Sequence, residues 1–192
     1  MPRPSGINRS ADGYSLEGLK PPTRPARFDA ILLPHLDAAH NLARWLLGNH
    51  QDAEDTVQEA YLRALTYFDS FHGEDGRAWL LAIVRNTCFE WLHKKRRYIE
   101  LPVENLELAR DGGLSPEALQ LRKADRATVQ RGLEALPAEY REVLVLREME
   151  GMSYKQIAQI TSVPIGTVMS RLARARRRLG ETLTAVSRKE TA

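Results

Sequence analysis

Cysteine is almost missing from this chain: its 192 residues contain one, Cys88. A lone cysteine excludes an internal disulfide and any cysteine-rich zinc site, and it fits a reducing cytoplasm. Long apolar runs are missing too. No stretch nears the roughly 18 residues of a membrane-spanning helix, so no membrane insertion is expected. The opening "MPRPSGINRS" has no apolar core, so no secretory signal is expected. The histidines, His35, His40, His50, His72 and His93, are scattered. His35 and His40 are spaced to share a helical neighbourhood, but no carboxylate or thiol completes a metal set there. There is no nucleophile–base set and no phosphate-binding loop, so the expected catalytic residues, metals and cofactors are none.

What is present is apolar residue enough for real cores and an uneven distribution of charge. Hydrophobic residues make up 43% of the chain and charged residues 28%. The net charge is +3 and the isoelectric point about 9.1, which favours an acidic partner. The length suits one ordinary domain or two small ones. Residues 1–27 hold five of the ten prolines and few large apolar side chains, and predict a disordered extension.

From Phe28 the apolar residues recur at helical spacing: Ile31, Leu32, Leu36, Ala39, Leu42, Ala43 and Leu46, with Gly48 as a stop. Asn49 is a candidate cap for the next helix, whose apolar stripe is Ala53, Val57, Ala60, Tyr61, Ala64, Leu65 and Phe68. Asp52, Asp55 and Glu59 fall at i, i+3 and i+7 on another face. "DSFHGEDG" predicts a polar loop, with Gly73 and Gly76 for tight backbone turns. A third helical pattern carries Trp79, Leu80, Ile83, Val84, Thr87, Cys88, Trp91 and Leu92 into the basic block Lys94, Lys95, Arg96 and Arg97. Trp79, Trp91, Tyr61, Phe68 and Cys88 all lie on apolar stripes, which favours packing over base stacking or redox chemistry. Residues 98–114 have no sustained period and contain Pro102, Gly112 and Gly113, so they predict a flexible linker.

The second half, 115–185, begins with "SPEAL", a helix start with Ser115 as cap and Pro116 at the first position. A helix after "LPAE" carries Val143, Leu144, Leu146 and Met149 and ends at Gly151. Ser153 and Gln156 make a capping box, "TSVP" a tight turn, and "IGTVMSRLARARRRL" a basic helix; 186–192 is a tail. Short helix, turn and arginine-rich helix form a helix-turn-helix pattern. Ile157 and Ile160 are placed to pack on Val168 and Leu172, and small Gly166 and Thr167 let the second helix approach base edges. Arg176, Arg177 and Arg178 suit phosphate contacts. The fold class is therefore all-α: two small helical domains joined by a flexible linker.

One segment does not suit a nucleic-acid binder. "DAEDTVQE", 52–59, gathers four acids in a basic chain. Taken with "GRAWLLAIVRNTCFEWLHKKRR" and the stretch from "LPAEYREVL" to "ARARRRL", it resembles a bacterial RNA polymerase sigma factor of the sigma-70 family, most closely the extracytoplasmic-function (ECF) type. The resemblance covers about Phe28 to Leu183, with 28–97 as region 2 and 115–185 as region 4. It implies a sigma factor, not an enzyme, that works in the cytoplasm on promoter DNA with core RNA polymerase. The β′ clamp helices and the β flap are the implied contacts, and an anti-sigma factor of unknown identity is a further implied partner.

The resemblance also assigns residues. Asp52, Asp55, Gln58 and Glu59 match the family's polymerase-binding positions, which accounts for the acids. Asn86 and the loop Asp69–Arg77 match the pocket for an extruded base of the −10 element. Lys94, Lys95, Arg96 and Arg97 would hold backbone phosphates there. Thr167, Ser170, Arg171 and Arg174 are the candidate readers of the −35 duplex, followed by Arg176 and Arg177 on phosphates. There is no region 1.1 and no full region 3, and the resemblance names neither promoter motif nor inducing signal. A stand-alone helix-turn-helix regulator would explain the C-terminal half equally well, but neither the acidic helix nor the "HKKRR" helix end.

Overall fold

A computed structural model describes residues 23–73, 75–99 and 128–190, and every element among them is helical. The first unit consists of α1 (Arg24–Leu32), α2 (Leu36–Leu47), α3 (His50–Tyr67) and α4 (Gly76–Ile99), with short 3₁₀ turns before α2 and after α3. The second consists of a helical segment over 128–134, here α5, then α6 (Ala138–Leu144), α7 (Tyr154–Thr161) and α8 (Ile165–Glu190). No described helix is long and apolar enough to cross a membrane.

The α2–α3 corner follows directly from its residues. Gly48 ends α2 in the left-handed conformation, φ 72°, which a side chain would strain. Asn49 then accepts the Asp52 amide at 3.1 Å and starts α3. Ala39, Ala43, Ala53, Ala60 and Ala64 are all buried, so α2, α3 and α4 approach closely, with Leu42, Leu46, Leu80, Leu81 and Val84 filling the space between. Phe28, Tyr61, Phe68, Phe71 and Trp79 form one aromatic cluster, edge to face for Phe28, stacked for Phe68 on Phe71 and tilted for Trp79, with ring centroids 5.0–6.4 Å apart.

Several expectations are corrected. α1 begins at Arg24, inside the expected extension, because Phe28 and Leu32 are buried and Arg24 bonds Asp69 at 2.8 Å. α4 runs to Ile99, beyond the expected linker start, and α8 runs to Glu190, beyond 185. Leu65, expected on the apolar stripe of its helix, is exposed. Neither Gly73 nor Gly76 has a positive φ. At Gly76 the requirement is space: a Cβ there would lie 2.4 Å from the Ile31 side chain and 3.2 Å from its carbonyl oxygen. The helix start expected at Ser115 and the rest of the linker lie outside the described residues.

In the second unit the helix after α6 widens into a π turn, Val145–Met149, and Gly151 closes it at φ 64°. Ser153 and Gln156 form the full capping box of α7. Ser162 ends α7 in the left-handed region, φ 54°. Ile157, Ile160, Val168 and Leu172 are buried together, which locks α7 on α8.

The two units pack on each other. α2 meets α6, and α4 meets α7. Arg141 of α6 donates to the Trp45 and Leu46 carbonyls at 3.0 and 3.1 Å, satisfying the open C-terminal end of α2.

Candidate functional site: a basic helical face, the α3–α4 loop and an acidic face

The helix-turn-helix presents α8 by its packing. Val168, Leu172 and Ala175 are buried, so the residues on the far side, Gly166, Ser170, Ala173, Arg174 and Arg177, face solvent. A shallow groove beside them, between the start of α6 and α8, is lined by Pro137, Glu139, Tyr140, Thr167, Ser170, Arg171, Arg174 and Arg178. The Arg178 guanidinium stacks on Tyr140 at 5.0 Å, and Arg177 lies 3.8 Å from Glu181. Ser170 donates to the Thr167 carbonyl at 3.0 Å, and Thr167 is half-buried. A Cβ on Gly166 would meet nothing within 4 Å among the described residues, so none of them demands a glycine there.

Two expected DNA contacts are occupied. Arg171, expected to read bases, donates to Glu142 at 3.2 Å on the inner flank of α8. The cause is register: Arg171 sits beside the buried stripe and faces α6. Arg176, expected on phosphate, is held by Glu148 at 2.6 Å.

On the first unit, the loop after α3 is anchored from below by buried Phe71 and ended by Asp75, whose carboxylate accepts the Ala78 amide at 2.8 Å. Asn86 is exposed more than two turns further along the same helix, ten residues from its start at Gly76, and its side-chain oxygen accepts from Arg85 at 3.1 Å. Lys94 and Arg96 are exposed on α4, with Arg97 following. Lys95 turns back instead. Its ammonium lies 4.3 Å from the Trp91 ring and 3.6 Å from Asp52.

That contact divides the acidic set. Asp52 is half-buried and ties α3 to α4, whereas Asp55, Gln58 and Glu59 are exposed. Glu59 pairs with Arg63 at 2.9 Å, and Arg63 also reaches Glu90 at 2.9 Å. Leu62, 62% exposed, and Leu65 lie on the α3 surface one and two turns beyond Gln58, an apolar element that counting helical periods did not predict.

Sequence reasoning also missed the acids between the units. Glu142 is fully buried. It accepts from Arg85 of α4 at 2.7 Å as well as from Arg171. Burial pushes its carboxyl upward in pKa, while the Arg85 and Arg171 charges pull the other way. Glu150, 8% exposed, accepts from Asn41 of α2 and Arg77 of α4. Asp75 accepts from Gln156 of α7 at 2.7 Å. Burial works against its ionisation, but hydrogen bonds from Ala78 and Gln156, with nearby His35 and Arg77, hold the carboxyl below its usual range. A signal for Glu142 was available: it shares a helical face with Val145 and Leu146 at i+3 and i+4, both buried.

Residues 31–98 match the family model for sigma-70 region 2, and residues 126–179 match that for sigma-70 region 4. The chain is 33% identical to the RNA polymerase sigma-H factor of Pseudomonas aeruginosa over 165 residues, covering 81% of this chain and 86% of that one. It is 31% identical to the ECF RNA polymerase sigma factor SigE of Mycolicibacterium smegmatis over 157 residues, 81% of this chain but 61% of that relative's length. Among solved structures, it resembles the sigma factor RpoE of Bartonella quintana, crystallised with the anti-sigma factor NepR. The TM-score is 0.66 and the identity 33%, covering 82% of this chain and 97% of that one.

Proposed function

This chain belongs to the sigma-70 family of RNA polymerase sigma factors, in its ECF group, and from that membership we propose how its surfaces divide the work. An ECF sigma factor binds core RNA polymerase and directs promoter recognition and initiation. The bond-making chemistry belongs to the polymerase, so the protein acts by binding alone, in the cytoplasm where polymerase works.

Asp55, Gln58 and Glu59 of α3 dock on the basic β′ clamp helices, with the second unit on the β flap. Complementary charge steers this encounter, and Leu62 and Leu65 supply apolar area once water is excluded. Asp52 contributes by fixing α3 on α4. α8 enters the major groove of the −35 duplex with Ser170 and Arg174 toward base edges and Arg177 toward phosphate. Asn86 and the loop before α4 capture an unstacked base of the −10 element, with Lys94, Arg96 and Arg97 along the strand. Extrusion costs a few kcal/mol, which contacts to the exposed base must offset.

Strand capture on the first unit requires the two units to separate, whereas the face of α8 is already open to solvent. Asp75 at the capture loop is bonded to α7, and Arg77 and Arg85 beside it are held by Glu150 and Glu142. An anti-sigma factor is a fitting partner for this closed arrangement, because the similar RpoE structure was solved in complex with one.

The observation that carries the proposal is the outward acidic and apolar face of α3 in a chain whose other end is a basic recognition helix. Asp55→Arg with Glu59→Arg tests it. Folding should survive, since both side chains are exposed, and affinity for core polymerase in a titration should fall tenfold or more, ~1–3 kcal/mol. Unchanged affinity would remove α3 as the docking face. A stand-alone duplex regulator would show no affinity for core polymerase in either form.

A further inference from the structure

The apolar residues of α8 are not all inside. Ile165 is 47% exposed and Met169 53%, while Val168, Leu172 and Ala175 on the same helix are buried. Ile165 and Met169 are spaced i, i+4, so they form one continuous apolar ridge about 40° apart around the helix. Gly166 and Ser170, their immediate neighbours, lie on the side that also carries exposed Ala173, Arg174 and Arg177. The ridge therefore borders the polar face assigned to base edges. Open space stands over Gly166, so no described residue covers this part of the helix.

A major groove offers such a ridge one kind of apolar target. Of the base edges displayed there, only thymine carries an apolar group, its C5 methyl. Phosphates reward cations and the remaining edge positions reward hydrogen bonds, so a half-exposed methionine gains nothing from either. Resting on the assignment of α8 to the −35 duplex, we propose that Met169, with Ile165 beside it, is a specificity-determining residue that reads thymine methyl groups in the upstream promoter element. Ser170 and Arg174 then take polar edges next to that thymine. The unbranched thioether chain of methionine adapts to the methyl without a strained rotamer.

The test replaces the methyl and nothing else. Upstream duplexes are first selected from a random library by the holoenzyme made with the full chain. Each upstream thymine in the winning sequence is then changed singly to deoxyuridine, and holoenzyme binding is measured. The wild-type protein should lose about fourfold at one or two positions, equivalent to ~0.8 kcal/mol, the contribution of roughly one buried methyl. For Met169→Ala the same uridine changes should cost nothing, while Met169→Leu should restore part of the penalty. Met169 is exposed and alanine is a good helix former, so the fold is retained. Selected elements without thymine, uridine duplexes that bind like thymine duplexes, or a penalty that persists in Met169→Ala would each overturn the proposal. Selection that enriches no upstream duplex at all would overturn the −35 assignment with it.

Discussion

The two halves of this protein use acidic residues in opposite ways. On α3, Asp55 and Glu59 stand in water and make pairs only within their own helix. In the second unit, Glu142 and Glu150 are buried and hold basic side chains of the first. An exposed carboxylate is free to meet a partner, and its local pairs contribute little. A buried carboxylate has already lost its water, so it depends on the arginines that face it. The acids on the surface are thus available for recognition, and those inside decide how the two units sit together.

The largest expected effect breaks this contrast at Glu142. Glu142→Ala leaves Arg85 and Arg171 facing a buried gap and should destabilise the protein by ~3–5 kcal/mol in urea unfolding. Asp55→Ala should leave the same midpoint within about 0.5 kcal/mol. Equal effects would show that burial does not separate the two classes of acid.

A smaller effect concerns Asn86 and the strand-capture role proposed for it. Asn86→Ala removes an exposed amide and should leave stability unchanged, yet it should reduce promoter opening about tenfold or more. Permanganate reactivity of thymines near the start site measures this, and a pre-melted bubble should rescue it only partly, because base capture is lost along with melting. Normal opening would remove Asn86 from strand capture.

The caps sharpen the comparison further. Asn49→Ala and Ser153→Ala each remove a side chain that accepts a helix amide, and each should cost about 1 kcal/mol. The Ser153 change should cost more at the interface between the units, because its box partner Gln156 also donates to Asp75. Protease cleavage rates of the two variants would show the difference.

The pH response should carry two opposite signs at that same interface. The Asp75 carboxyl is depressed in the folded protein, so its contribution is present above the unfolded value and is lost as pH falls through the folded one. The Glu142 carboxyl is raised, so folding favours its protonated form. Its contribution is fullest below the unfolded value and declines as pH rises through the folded one. Asp75→Asn should therefore flatten the acid loss of stability, and Glu142→Gln should steepen it. Cys88 gives the smallest signal of all. Burial lifts its thiol to about 12, so it should resist thiol reagents at neutral pH until denaturant is added.

Much of this organisation was legible in the chain because its signals are local. Gly48 and Asn49 end one helix and start the next through their own backbone and side chain. The Ser153–Gln156 box spans three residues, and the packing of Ile157 and Ile160 on Val168 and Leu172 spans one tight turn. Gly76 was assigned to a turn because glycine usually serves one. Its true constraint, the approach of Ile31, comes from 45 positions earlier in the chain. Arg171 was read as a base contact because it stands among arginines on a recognition helix. Its partner Glu142 lies on a different helix, and helical spacing alone does not say which flank of α8 faces α6.

By itself, the sequence determined the all-helical character, the helix-turn-helix, the acidic stripe on α3 and membership in a family whose motifs are contiguous. Each of these rests on interactions within a turn or two of helix, where spacing translates directly into contact. Tertiary structure alone decided which charges are spent and which are free. Asp52 and Lys95 neutralise each other across α3 and α4, and Arg85 and Arg77 are bound by acids 57 and 73 residues away. It also left Leu62, Ile165 and Met169 outside. The physical reason is that desolvation depends on every neighbour that closes over a side chain, and those neighbours are assembled only when the helices pack.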